Sequence, residues 1–302
     1  MTLLNHLISK LSEEHCINSG GIIAGQCLSA VGWVGETVPP LREEQGLLEL
    51  SMADVAGGGI VAGLAIAGRR PIYVVRYQGF LWYNLVTIAN YCAKSLFLWD
   101  IPAPIWVRAI CMEGAIGPVA GNGHHSLAAR MPGLKLIAPA TNNEYIKYFR
   151  KFQSENDIYI VSEHRRLYTS TVNIENRIQP NSSIAIVAIS STRIDASVAL
   201  DALKREYGIN IDLFGLIELA PLNFPGELVA NIGKYKHIVI LDVDYNMYSV
   251  SSQVELALMK MNKKIETHNF ALPIRTAGFS KETDLRTPSP EEILNIVKGL
   301  HP

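Results

Sequence analysis

The sequence predicts an α/β protein of two domains, each a mainly parallel sheet flanked by helices. Three observations carry that expectation. Short β-branched or aromatic runs alternate with helical patterns over most of the chain, the order that gives parallel strands covered on both faces. At 302 residues the chain is long enough for two domains of ordinary size. The alternation stops once, in the polar stretch "TSTVNIENRIQPNS" at 169–182, and then restarts. The expected domains are therefore 1–172 and 183–302.

In the first, "RPIYVVRY" reads as a strand and "LWYNLVTIANYCAKSLF" as a helix. "PAPIWVRAI" and "LKLIAPA" are further strands. "NNEYIKYFRKFQS" is an amphipathic helix opened by Asn142 or Asn143, and "DIYIVSE" follows as a strand. In the second, strands "SIAIVAIS", "INIDLFGL" and "HIVILDV" alternate with helices "IDASVALDALKREYG", "PGELVANIGKY" and "SVSSQVELALMKM". The tail adds "IETHNFAL" and a last helix in which Ser289 before Pro290 makes a good start.

Composition narrows the class of protein. Hydrophobic content is 48% and charged content 18%, as in a globular chain with a large core. A mean hydropathy of +0.15 points to buried subunit interfaces. The net charge of −1 gives no support for nucleic acid or an anionic membrane as partner. Cys16, Cys27, Cys92 and Cys111 form no CxxC pair and no zinc spacing, and read as reduced residues. "MTLLNHLISKLSEEH" has the pattern of an amphipathic helix without the basic start and cleavage site of a signal peptide. No apolar run approaches the ~20 residues of a membrane span. The expectation is a cytoplasmic protein with neither membrane nor nucleic acid as partner.

One stretch is unusual. "ELSMADVAGGGIVAGLAIAGRRPI", residues 49–72, has the apolar character of a buried helix but carries Gly57, Gly58 and Gly59 in succession, with Asp54 just before them. Glycine costs about 1 kcal/mol per interior helical position relative to alanine. A helix that accepts three needs close approach to another backbone, from a neighbouring helix or from a second subunit.

Several segments resemble one family. "MADVAGGGIVAGLAIAGRRPI", "YQGF", "NYCAK", "PIWVR", "GHHS", "MPGLKLIAPA" and "IYIVSEHRRLY", then "IAIVAISS", "LIELAPL" and "HIVILDV", follow in collinear order the beta subunit of the pyruvate and branched-chain 2-oxo acid dehydrogenases. The same region forms the second half of transketolase-type enzymes. The resemblance implies a pyrimidine-binding domain followed by a transketolase C-terminal-like domain, and thiamine diphosphate as cofactor. In the family the diphosphate and its Mg2+ are held by a different domain bearing "GDG" and a downstream asparagine. "GDG" does not occur here. The resemblance therefore implies an alpha-type partner subunit supplying that half, in a two-plus-two tetramer.

The family's catalytic carboxylate is a glutamate at the start of its opening helix, sharing a proton with the aminopyrimidine ring. Counting back from "AGRRPI", the matching position is Asp54, one methylene shorter; its bland alternative is a helix N-cap. Glu49 is a second carboxylate nearby. Tyr77 and Phe80 stand where the family places aromatics on the pyrimidine, or are core aromatics at a strand end. In "GNGHHS", His125 before Ser126 matches the histidine that faces the substrate, with His124 beside it. The segment between "HHS" and "MPGLK" is several residues shorter than in the dehydrogenases. Arg108 could neutralise a substrate carboxylate or phosphate, or be a surface arginine. Glu163, His164, Arg165 and Arg166 read as a charged interface or solvated turn. No metal ligands are expected.

The resemblance implies two reactions for such a chain with its partner. One is decarboxylation of a 2-oxo acid with acyl transfer to a lipoyl carrier; the other moves a two-carbon ketol unit between sugar phosphates. A non-catalytic subunit that keeps only the fold is the alternative from a different class, and Asp54 in place of glutamate is its best support.

Overall fold

The computed structural model describes residues 2–112, 117–280 and 283–301. The chain forms two compact units, residues 1–112 with 127–170 and residues 113–126 with 171–302. The segment 113–126, which carries "GNGHHS", thus goes with the second unit.

The first unit is built on parallel strands β1 (Ile22–Gln26), β2 (Leu47–Leu50), β3 (Pro71–Val75), β4 (Trp106–Cys111), β5 (Leu134–Ile137) and β6 (Ile158–His164). Their spatial order is β5-β6-β4-β3-β1-β2. Strands β3, β4 and β6 are buried along their whole length, as parallel strands covered on both faces should be. Trp106 on β4 anchors one side of the core. Its ring lies 5.3–5.6 Å from those of Tyr145, Phe149 and Phe152 on helix α5 (Asn142–Ser154) and of Tyr159 on β6. Thr141 caps α5, accepting from the Glu144 N–H while Glu144 returns to the Thr141 N–H. The cap lies one residue before the two asparagines that the sequence offered.

Helix α2 (Asp54–Ile66) carries the triple glycine. A Cβ on Gly58 would strike the Asn84 carbonyl of helix α3 (Leu81–Thr87), and one on Gly57 would lie 2.7 Å from the Tyr73 hydroxyl. At Gly59 the nearest atom, Thr87 Oγ1, is 4.0 Å away. Two of the three glycines therefore permit close packing of α2 within its own unit. The chain continues from α3 through a π-helical turn at Ile88–Cys92 into α4 (Ala93–Trp99).

The second unit has four parallel strands, β7 (Ile184–Ile189), β8 (Asp212–Leu216), β11 (His237–Tyr245) and β12 (Glu266–Leu272), ordered β12-β11-β7-β8. A short antiparallel pair, β9 (Glu218–Ala220) and β10 (Leu222–Asn223), lies between β8 and β11 in the chain. Helix α6 (Thr192–Tyr207) and the closing helix α8 (Pro290–Leu300) cover one face, with Leu200, Leu203, Ile293 and Val297 packed on Ile186 and Leu241. Helix α7 (Val250–Met261) follows β11. Ser289 caps α8 as expected, accepting from the Glu292 N–H. The polar stretch after residue 169 is not loose chain. Arg177 bridges to Leu213, and the buried Arg193 guanidinium donates to the Ile174 carbonyl (Nε–O 3.1 Å).

No helix among the described residues is long and apolar enough to cross a membrane.

Candidate active site

Ligands of parallel sheets gather at the carboxyl ends of the strands. In the first unit, that rim brings together most of the residues singled out in its sequence. Asp54 opens α2 just after β2, and Tyr77 and Phe80 lie in the turn after β3.

Asp54 does not cap its helix; Ala53 holds the N-cap position, with no side-chain cap. Its half-buried carboxylate is instead held by two side-chain amides. Gln26 Nε2, at the end of β1, donates to Oδ1 at 3.2 Å, and Asn84 Nδ2 from α3 donates to the same oxygen at 2.8 Å. The other oxygen, Oδ2, has no protein partner among the described residues. Asn84 Nδ2 also donates to the Phe80 carbonyl at 2.8 Å, and Asn84 Oδ1 accepts from the Tyr73 hydroxyl. Burial and the nearby Asp54 charge push the Tyr73 phenol up, so it stays a donor. Asn84 thus ties the carboxylate to the aromatic turn. Glu49 is exposed on β2 and accepts from Ser29 Oγ at 3.2 Å, away from this network.

The turn itself is fixed by Gln78, which is fully buried and donates to the Ala109 carbonyl at 3.0 Å and Ser162 Oγ at 2.8 Å. Tyr77 and Phe80 meet edge to face, centroids 6.0 Å apart, and both rings are half-buried. Two arginines flank Tyr77: the Arg76 guanidinium lies 5.9 Å and the Arg165 guanidinium 5.6 Å from its ring centroid. Arg76 Nη1 donates to the Cys27 carbonyl, whereas Arg76 Nε and Arg165 Nη2 are buried N–H groups with no hydrogen-bond partner among the described residues. Unsatisfied donors of this kind invite an acceptor.

Arg108 is placed differently from its sequence expectation. It is 1% exposed, and Nε and Nη2 each donate to a Glu163 oxygen at 2.9 Å. Nη1 and Nη2 reach the Thr37 carbonyl and hydroxyl at 3.2 and 2.7 Å. Tyr145 and Tyr168 donate to Glu163 as well, at 2.9 and 2.7 Å. An arginine neutralised by its own carboxylate in the interior does not meet a substrate anion. Arg108 is a structural residue that ties β4 to β6. The charged turn is corrected with it: Glu163 and His164 are buried, Arg165 is half-buried and only Arg166 is exposed.

In the second unit, "GNGHHS" packs on the carboxyl end of β11. A Cβ on Gly123 would lie 2.6 Å from the Val243 carbonyl, which already accepts from the Gly123 N–H at 3.2 Å. The Ser126 N–H donates to Asp244 Oδ2 at 2.8 Å, and Ser126 Oγ accepts from the Val250 N–H at the start of α7. His125 is fully buried, with Nε2 3.3 Å from Asp242 Oδ1 and 3.8 Å from Asp244 Oδ2. Burial alone would lower its pKa; the two carboxylates outweigh that and raise it. His124, half-buried beside the Tyr245 ring at 5.4 Å, is shifted down, chiefly by burial and further by the neighbouring His125. The two adjacent histidines are thus set apart, one toward the charged form and one toward the neutral.

Sequence reasoning passed over Gln26, Arg76, Asn84, Asp242 and Asp244. The aspartates carried a signal: acids two apart inside "HIVILDVDY" share one face of a strand.

The pyrimidine end of thiamine diphosphate fits the first rim, with one free carboxylate oxygen and a pair of aromatic rings beside it. Among the described residues no group of potential metal ligands accompanies Asp54.

Comparison with known proteins bears on the fold. Residues 35–171 match the transketolase pyrimidine-binding domain. The beta subunit of the pyruvate dehydrogenase E1 component from Staphylococcus epidermidis is 21% identical, over 85% of this chain and 84% of its own. The Bacillus subtilis protein of the same name is 19% identical over 99% and 98%. A solved structure described as a split-gene transketolase, an inactive beta4 tetramer, superposes with a TM-score of 0.71 at 14% identity, covering 99% of this chain and 97% of that one. Over residues 35–171 the chain matches the transketolase pyrimidine-binding domain, and over nearly its whole length it has the fold of the split-gene transketolase structure.

Proposed function

We propose that this chain is the beta-type component of a two-chain thiamine diphosphate enzyme acting on a bond next to a carbonyl, with a 2-oxo acid as donor. The observation that carries the reading is the free oxygen of Asp54, held in place by two amides beside the Tyr77–Phe80 pair. When bound, the cofactor supplies a stabilised carbanion equivalent for breaking or making that bond. Asp54 Oδ2 holds the proton shared with the pyrimidine ring, while Gln26 and Asn84 fix the carboxylate through Oδ1. Tyr77 and Phe80 orient the ring and exclude water.

Arg76 and Arg165 replace Arg108 as the groups that receive a substrate anion, a carboxylate or a phosphate. Their unpaired N–H donors are suited to either. His125, its pKa raised by Asp242 and Asp244, holds the loop of the second unit in place, and His124 is the histidine proposed for proton exchange. The diphosphate and Mg2+ fall to an alpha-type partner carrying the "GDG" motif. Self-association completes a two-plus-two assembly. The apolar face formed by Trp82, Tyr83, Val86, Tyr91, Phe97 and Trp99 on α3 to α4, all more than half exposed except Val86, is suited to such contacts. The chain acts in the cytoplasm.

The test is turnover of a panel of 2-oxo acids by the co-purified pair, read with an artificial electron acceptor. Cofactor-dependent turnover that falls at least about a hundredfold in Asp54→Ala supports the reading. Unchanged turnover in that variant, or none in the wild-type pair, contradicts it. Ketol transfer between sugar phosphates without dye reduction would instead favour the transketolase reaction.

A further inference from the structure

The second unit holds a cluster at the opposite end of its sheet from His125. Strands β11 and β12 run parallel with His237 in register with Glu266 and Val239 with His268. Residues two apart on a strand share a face, so Glu266 and His268 lie on the face that His237 presents. His237 Nδ1 is 3.3 Å from His268 Nε2 and 3.4 Å from Glu266 Oε2, and His268 Nε2 is 4.0 Å from Glu266 Oε1. The ring centroids are 5.4 Å apart. Among the described residues this is the one group of three such side chains whose ligand atoms converge.

We infer that His237, Glu266 and His268 form a binding site for a divalent transition-metal ion, Zn2+ above all. The distances carry the argument. A tetrahedral ion with metal–nitrogen bonds of about 2.0–2.1 Å places its ligand atoms about 3.3–3.4 Å apart. Two of the three edges already have that length. The contact from His268, 4.0 Å, is to the other carboxylate oxygen, Oε1, and rotation of the Glu266 side chain, which is 66% exposed, brings one oxygen to both imidazoles. Two nitrogens and one oxygen suit zinc, copper or nickel; Mg2+ and Ca2+ prefer all-oxygen shells.

The site is separate from the His125 cluster of the same unit. His237 is the first residue of β11 and Asp242 lies five residues further, about 16 Å along an extended strand. It is also independent of the proposed function, since it rests on two strands of one unit. The bound ion would clip the edge strand β12 to β11, leaving a fourth position for water. The sequence pointed to no metal because the two histidines are 31 residues apart, and only the strand register joins them.

The experiment is titration of the metal-stripped full chain with Zn2+ against a chromophoric chelator, with Co2+ absorption as a second probe. The expected result is one high-affinity Zn2+ per chain, tetrahedral Co2+ bands, and a melting temperature raised by zinc. His268→Ala should weaken that site at least about tenfold and remove the bands. His268→Gln and Glu266→Gln, which preserve size, keep the test valid if the alanine variant is unstable. Zinc affinity and stoichiometry unchanged in all three variants would overturn the proposal, as would a wild type that takes up no zinc.

Discussion

The carboxyl-end rims of the two sheets hold the two titratable groups singled out most strongly, and they treat them in opposite ways. In the first unit Asp54 is half-buried, held on one oxygen by neutral amides, with the other oxygen free. In the second, His125 is fully buried against two carboxylates. A charge held by neutral dipoles with one face open is ready for a ligand. An imidazole enclosed by carboxylates that raise its pKa couples its titration to folding. The two rims should therefore fail in different measurements.

The largest expected effect is on activity, at the open rim. Asp54→Ala should lower turnover by about 10²–10⁴-fold, with stability changed by no more than about 0.5 kcal/mol. Asp54→Glu sharpens the point, because shifting the carboxylate by ~1 Å can cost about a hundredfold. If the shorter aspartate is matched to this pocket, held by Gln26 and Asn84, the longer glutamate should be worse. A more active Asp54→Glu would show that the pocket still fits the family residue.

The next effect belongs to the enclosed rim. Asp242→Ala leaves the His125 imidazole with only the more distant Asp244, and should cost about 3 kcal/mol in chemical denaturation. A loss of activity without loss of stability would instead place Asp242 at the reacting centre.

Third, the enclosed rim should respond to pH. The folded-state pKa of His125 is raised, so its stabilising contribution is full below the unfolded value near 6.5 and is lost as pH rises through the folded value. His124, shifted down, contributes in the opposite sense, with stability gained as pH rises toward 6.5. Melting temperatures of wild type and His125→Gln separate the two. Their difference should be greatest at pH 6 and shrink toward alkaline pH; a constant difference would mean that His125 is neutral in the fold.

The smallest effects lie in the glycines beneath Asp54. Gly58→Ala drives a methyl into the Asn84 backbone and should destabilise by roughly 1–3 kcal/mol. Gly59→Ala meets only Thr87 Oγ1 at 4.0 Å and should be neutral or stabilise by up to about 1 kcal/mol. Equal effects at both positions would mean that α2 and α3 are not in close contact.

Much of the fold was legible because parallel strands such as "YVV" and "IAIVAI" are unbroken apolar runs. β1 and β2 were passed over, since "IIAGQ" and "LLEL" are short and carry polar ends, and Gln26 was lost with them. Asp54 and the aromatic turn were singled out through resemblance. Their amide partner Asn84 was hidden inside a helix as one polar residue among apolar ones. Arg108 misled for a physical reason: a strand-end arginine looks exposed until its partner, 55 residues later, folds back beside it. Pairings of that kind, like His237 with His268, depend on register and not on local pattern.

The open rim of the first unit, and not the enclosed rim of the second, is the rim proposed to hold a cofactor ring. The most direct measurement is calorimetry of thiamine diphosphate with Mg2+ on the co-purified pair, comparing wild type, Asp54→Ala and Asp242→Asn. Saturable binding is expected in wild type, with binding weakened at least about tenfold in Asp54→Ala and near-normal affinity in folded Asp242→Asn. Binding unaffected by Asp54→Ala, or weakened only by Asp242→Asn, would contradict it.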